Sequence, residues 1–179
     1  MIAIMSDDIE RRLRDLPGRE LSLAPEQSVF RLGDPVQQMF FVVTGAVHLV
    51  RHQESGSALV LQRAGPGALL AEASLYADKY HCDAVAVAPS RVWAVSKRDL
   101  LGRLAATPEL TLAVIRRLAR ELQQARFQAE VLSMKTVAAR VDAWIDWNGP
   151  LPPKGEWVRL AAELGVSPEA LYREMAKRR

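Results

Sequence analysis

The hydrophobic pattern changes its period along the chain. Between about residues 20 and 100 the apolar positions fall in short runs: VFRLGDPV, QMFFVVTGAVHLVRH, SALVLQRAGPGAL and HCDAVAVAPSRVWAVS. Gly33-Asp34-Pro35, Gly45, Ser55-Gly56 and Gly65-Pro66-Gly67 separate them. Apolar and polar residues alternate in AVHLVRH and in VWAVS, so side chains there point to opposite faces of a strand. Short strands with regularly spaced turn residues predict a small antiparallel barrel or roll. Ahead of it, SDDIERRLRDL predicts a short helix, capped by Ser6 with Asp7 and Asp8 at its positive end.

After Thr107-Pro108 the period lengthens. Pro at the first helical position and Glu109 beside it start a helix that runs to about Met134. Ile115, Leu118, Leu122, Ala125, Ala129 and Leu132 follow alternating steps of three and four, the spacing of a coiled-coil seam. The two Ala residues permit close approach. Arg116, Arg117, Arg120, Glu121, Gln123, Gln124 and Arg126 flank a narrow stripe, which favours a homodimer helix over a helix packed on its own roll.

A third pattern begins near Thr136. TVAARVDAWIDW predicts an amphipathic helix with Val137, Val141, Trp144 and Ile145 on one side, ended by NGPLPPKG. In EWVRLAAELGVSPEALYREMAKRR, Trp157, Leu160, Ala161 and Leu164 place an apolar face on a short helix. Gly165-Val166-Ser167 makes a turn, with Ser167 capping a second helix and Pro168 at its first position. Ala170, Leu171 and Met175 form the candidate buried side. Glu169, Tyr172, Arg173, Lys177 and Arg178 are candidates to face outward. This is the logic of a helix-turn-helix, whose second helix lies in a major groove; the alternative is an ordinary helical hairpin. On DNA, Arg173 would donate to a guanine edge and Glu169 would accept from a cytosine amino group. Lys177, Arg178 and the helix start at Ser167 would meet phosphates.

Charge adds a direction. Residues 1–110 carry 12 Lys/Arg against 13 Asp/Glu, and residues 111–179 carry 12 against 8, so the positive excess is C-terminal. A basic end suits a polyanion, although a solvated helix face would show the same charge. The composition is ordinary for a globular chain, with 49% apolar and 25% charged residues. One Cys forms no internal disulfide, no apolar run is long enough for a bilayer, and the first residues lack the charge and apolar core of a signal peptide. The expected location is the cytoplasm, away from membranes.

The order of roll, dimer helix and helix-turn-helix resembles the catabolite-activator and fumarate-nitrate-regulator (Crp/Fnr) family of transcription factors. Its specific pieces are Gly33-Asp34, Thr44-Gly45-Ala46-Val47, the AEASLY turn, the A-V-A-V-A strand after Asp83, and the helix-turn-helix. The resemblance implies an α+β fold: a cyclic-nucleotide-binding-type jelly roll with its leading helix (residues 1–106), a dimerisation helix (107–135) and a DNA-binding helix-turn-helix domain (136–179). It implies double-stranded DNA and a second copy of the chain as partners, with a small-molecule effector in the roll. Ser167, Glu169 and Arg173 match positions that the family uses at DNA. Pro168 stands where cyclic-AMP-dependent members carry a basic residue, so base preference should differ. Family members continue into a β-wing after the recognition helix. This sequence stops at Arg179, which leads us to expect weaker or more salt-sensitive DNA binding.

The effector pocket departs further. Members that bind cyclic nucleotides place Gly-Glu on the short turn and Arg followed by Ser or Thr before the next strand. Here Glu72 remains, but Ala71 replaces the Gly, Cys82 the Arg and Asp83 the hydroxyl residue. A bidentate guanidinium contact is lost and a carboxylate is expected near the phosphate position. Ser74 lies on the same turn. Lys79 and His81 are nearby but lack the planar fork of Arg. Cyclic AMP or cyclic GMP is therefore not the expected ligand. Cys82 could be a redox switch if His81 or Lys79 lowered its pKa, or a small buried hydrophobe. A metal site has too few ligands, with His48 and His52 on another strand, and one Cys excludes an iron–sulfur cluster. Haem needs only one or two ligands, but nothing in the sequence points to it. The effector stays unnamed. Two other classes remain open: a sensor whose helical tail docks a protein, and an enzyme built on Glu72, His81, Cys82 and Asp83. The last is disfavoured because consecutive strand residues diverge.

Overall fold

The computed structural model describes residues 11, 12, 14–53 and 58–178, which divide into two compact units, Met1–Val114 and Ile115–Arg179. Most of the expected leading helix lies outside the described residues.

In the first unit, eight strands form two four-stranded antiparallel sheets of a jelly roll. They are β1 (Gly18–Leu23), β2 (Ser28–Phe30), β3 (Gln38–Thr44), β4 (Val47–His52), β5 (Ala58–Ala64), β6 (Leu69–Leu70), β7 (Asp83–Ala86) and β8 (Ser90–Ser96). One sheet has the order β1-β8-β3-β6 and the other β2-β7-β4-β5. Phe40, Val42, Val92 and Ala94 of the first sheet and Phe30, Leu49 and Ala84 of the second share one buried core, in which Phe40 stacks on Phe30 across the sheets. The turn between β3 and β4 needs its glycine. Gly45 has φ +86°, and a Cβ there would overlap Ser90 Oγ and the Pro89 carbonyl. Ser90, itself buried, closes the corner by hydrogen-bonding both the N–H and the carbonyl of Ala46. Helix α1 (Lys97–Ala106) follows β8, capped by Ser96.

Helix α2 (Pro108–Ser133) begins in the first unit and continues into the second. The second unit adds α3 (Val137–Asn148), α4 (Trp157–Glu163) and α5 (Pro168–Lys177). Phe127 and Val131 of α2, Val141 of α3, Leu160, Ala161 and Leu164 of the α4 region, and Leu171 and Met175 of α5 form its core. Phe127 stacks on Trp147 with ring centroids 4.7 Å apart. Thr136 caps α3 by accepting from Ala139 N–H, and Ser167 caps α5 by accepting from Ala170 N–H. Ala161 is fully buried, as its place on the apolar face of the short helix predicts. The α+β architecture is the expected one.

The buried turn before the short 3-10 segment Glu72–Ser74 carries backbone strain. Ala71 has φ +67° and is 1% exposed, a left-handed conformation that costs an L-residue roughly 1–2 kcal/mol. Replacing it with glycine removes that strain but enlarges the unfolded ensemble. Ala71→Gly is expected to stabilise the first unit by about 0.5–1 kcal/mol. Urea unfolding followed through Trp93, the one Trp of that unit among the four in the chain, measures it.

Candidate effector pocket and nucleic-acid interface

Strand register decides where the pocket residues point. Val50 pairs with Asp83 and Leu49 with Ala84 and Gln62, so Leu49, Ala84 and Gln62 share one face of the sheet and Val50 and Asp83 share the other. The first face is the interior, since Leu49 and Ala84 belong to the core. Cys82 is also in that core, 1% exposed, together with Ala71, Leu75 and Tyr80. Tyr80 stacks on Phe30 at 4.0 Å and donates to the Gln38 carbonyl.

One expectation changes accordingly, and one pair of alternatives is narrowed. Asp83 does not line the interior. Its Oδ1 accepts from Leu32 N–H at 2.8 Å and its Oδ2 lies 3.6 Å from His52 Nε2, so its carboxylate anchors the 31–35 loop from the opposite face. Of the two readings of Cys82, its burial supports the small buried hydrophobe. Burial pushes its pKa up, and the charges of Asp83 and Glu72 add to this against an opposing effect of Arg51. Lys79 and His81 are both exposed. His81 Nδ1 is 2.8 Å from the Oγ of buried Ser74, which ties the loop back to its own turn.

The sequence reading missed two groups near these residues, exposed Arg51 and half-buried Gln62. Arg51 lies two residues beyond Leu49 on the same face of β4, and its Nη2 donates to the His81 carbonyl at 2.9 Å. A guanidinium thus stands near Cys82, delivered by another strand. Gln62, directly opposite Leu49, has a buried Oε1 with no hydrogen-bond partner among the described residues. Both follow from cross-strand pairing, which local sequence does not display. Elsewhere on the roll a concavity of about 710 Å³ is lined by β1, β2 and the residues around them, from Glu20 to Asp34; it contains none of the expected pocket residues. Among the described residues no three His, Cys, Asp or Glu side chains converge as metal ligands, and no helix is long and apolar enough to cross a membrane.

On α2 the expected seam residues Ile115, Leu118, Leu122, Ala125, Ala129 and Leu132 are all exposed. The large ones range from 37% for Leu118 to 54% for Ile115. Leu132 has a second contact, because its side chain fills the space where a Cβ on Gly165 would sit.

In the helix-turn-helix, Gly165 has φ +62° and Val166 N–H returns to the Ala161 carbonyl, turning the chain between α4 and α5. Glu169, Arg173 and Lys177 are exposed on α5. The Glu169 carboxyl sits below its ordinary pKa, held first by its own N–H and then by Ser167. Tyr172 is half-buried rather than outward. Its ring lies 5.2 Å from that of Trp157, with Lys154 Nζ 5.7 Å from its centroid. Arg178, though exposed, is engaged by neighbouring groups. Its Nη1 meets Asp142 at 2.5 Å, its Nε meets Glu174 at 3.0 Å and its Nη2 donates to the Ala138 carbonyl. That guanidinium fastens α5 to α3, a role opposite to the phosphate contact expected of it, because a carboxylate 36 residues away in sequence lies within reach.

Two measurements check this geometry. Cys82 is expected to resist iodoacetamide in the folded protein at neutral pH and to react fully in denaturant, by mass spectrometry. Asp142 has its pKa lowered from 3.8 by the Arg178 hydrogen bond, so its ionised form favours the folded state. That stabilisation is present above the ordinary carboxylate range and is lost as pH falls through the depressed value. Asp142→Asn is expected to lower stability at neutral pH and to flatten the acid limb of the pH–stability curve.

Comparisons with known proteins agree with this architecture. Residues 20–107 match the cyclic nucleotide-binding domain family. A cyclic AMP receptor protein of Thermus thermophilus is 31% identical over 114 residues, covering 63% of this chain and 53% of that protein. The solved catabolite activator protein of Thermus thermophilus matches with a TM-score of 0.59 at 25% identity, covering 96% of this chain and 82% of that one. The c-di-GMP-responsive global regulator of Xanthomonas campestris shares the fold, with a TM-score of 0.67 at 20% identity over 96% of this chain and 90% of that one. The chain spans between 53% and 63% of the length of the curated relatives it matches. By sequence and fold together, residues 20–107 are similar to the cyclic nucleotide-binding domain, and the chain is similar to regulators that carry it.

Proposed function

We propose that the chain is a homodimeric, DNA-binding transcriptional regulator whose jelly roll responds to an effector other than cyclic AMP. The observation that carries the DNA reading is the geometry of α4 and α5. A glycine turn and a serine cap aim α5 outward with Arg173, Glu169 and Lys177 exposed, the arrangement a major groove accepts. Self-association is supported by the exposed seam on α2. Burying a Leu or Ile side chain gains about 1.5–3 kcal/mol relative to leaving it exposed, and a second copy offers the same stripe. An effector other than cyclic AMP is supported by the phosphate end of the pocket, where a buried neutral thiol replaces a guanidinium. Exposed Arg51, on the same face of its strand as Leu49, and the buried Oε1 of Gln62 are polar groups that such an effector would meet.

Selection of bound fragments from a random DNA pool, at two salt concentrations, tests the reading. Recovery of a palindromic motif with affinity falling steeply in salt is expected. Arg173→Ala is expected to cost about 1–3 kcal/mol and to relax preference at one base pair per half-site. No motif at low salt, with a single-chain mass in solution, would overturn it and favour a protein-docking tail instead.

A further inference from the structure

The junction between the long helix and the reading head is held by a side chain with no place in the sequence motif. Helix α2 ends at Ser133 and α4 at Glu163. Each leaves carbonyls with no intrahelical partner, at the negative end of a helix dipole. Arg140, on α3, lies between the two ends. Its Nη2 donates to the Leu132 carbonyl at 3.2 Å and its Nε to that of Met134 at 3.0 Å. Its Nη1 donates to the carbonyls of Leu164 at 2.8 Å and Gly165 at 3.0 Å. One guanidinium therefore closes two helix ends. Gln128 adds to this by donating from α2 to the Glu163 carbonyl, and the Leu132 side chain occupies the space above Gly165.

The geometry points to Arg140 as the positioning residue of the DNA-reading head: it fixes the angle between the dimer helix and α5, and so the separation of the half-sites the dimer accepts. This rests on the DNA-reading proposal above. The planar fork is essential, because its donors leave in fixed directions toward both helix ends. A lysine at the same place offers a point charge, which satisfies the dipoles but not the directions. Arg178 supplies the second fixed point, through Asp142 on α3, so α3 is clamped to α2 on one side and to α5 on the other. The clamp makes no contact with the outward face of α5. Its loss should leave base preference within a half-site intact while loosening the distance between half-sites.

Selected operators carrying the half-sites one and two base pairs closer or farther apart provide the test, with full-length wild type, Arg140→Met and Arg140→Lys. One base pair rotates a half-site by about a tenth of a turn, so wild type is expected to lose about tenfold or more in affinity at the altered spacings. Both variants are expected to lose less than about threefold there, while keeping the half-site motif. Unchanged spacing selectivity in Arg140→Lys, whatever its stability, would overturn the proposal; that variant carries the test if Arg140→Met fails to fold. A second readout is independent of DNA. Spin labels at Gln123→Cys and Ala176→Cys, both exposed positions, in protein diluted with unlabelled chains, should give a narrow distance distribution that broadens in Arg140→Lys. If wild type binds no DNA, the reading above fails and the distance distribution alone decides whether Arg140 is the clamp.

Discussion

Neighbouring residues of an extended chain point to opposite faces, and at Cys82-Asp83 that constraint determines what the sensor roll can hold. Val50 pairs with Asp83 and Leu49 with Ala84, so the carboxylate must leave the interior and the residue before it must enter. Once inside, an ion would need a partner or a ligand. A thiol needs neither, and Cys82 packs with Ala71, Leu75 and Tyr80 as part of the core. Outside, Asp83 is as firmly used, since it accepts from Leu32 N–H and faces His52. The loop from 71 to 83 is thus fastened on both faces of the sheet by the chain's own side chains. The strained Ala71 is held by the same packing, which over-determines a conformation that its own residue type resists.

Local periodicity made some of this legible. The steps of three and four on α2 put Ile115, Leu118 and Leu122 on a face that stays exposed in the single chain, and Ala161, Gly165 and Ser167 marked both the turn and the cap between α4 and α5. What sequence could not display was the choice of partner for a long charged side chain. Arg173 and Arg178 look alike in the string YREMAKRR, yet one stands in solvent and the other binds Asp142, 36 positions away. Tyr172 was read as outward from helical spacing, but the Trp157 ring supplies a surface that half covers it. Arg140 carried no signal at all, because the carbonyls it satisfies are created only when two helices end beside each other. Arg51 and Gln62 were hidden for a related reason: their place on one face with Leu49 is a property of register between strands, and a bulge in β5 between the partners of Leu49 and Val50 shifts that register by one residue.

Helix α2 serves several neighbours with different faces. Leu110 and Val114 are buried within the first unit, and Phe127 and Val131 belong to the core of the second. A helix that merely rested on its own roll would continue the burial of its apolar stripe, whereas from Ile115 to Leu132 the stripe stays open between those contacts. The composition of the stripe changes along its length: branched and long residues at 115, 118 and 122, then Ala at 125 and 129. Large side chains fill a wide gap between two helices and small ones permit a close one, so two copies would be farther apart near Ile115 and closest near Ala125–Ala129. That is the end on which α3, α4 and α5 pack. Close packing there would leave little freedom in the separation of the two C-terminal helical units, and the constraint set by Arg140 inside one chain would then be extended by Ala125 and Ala129 across the pair.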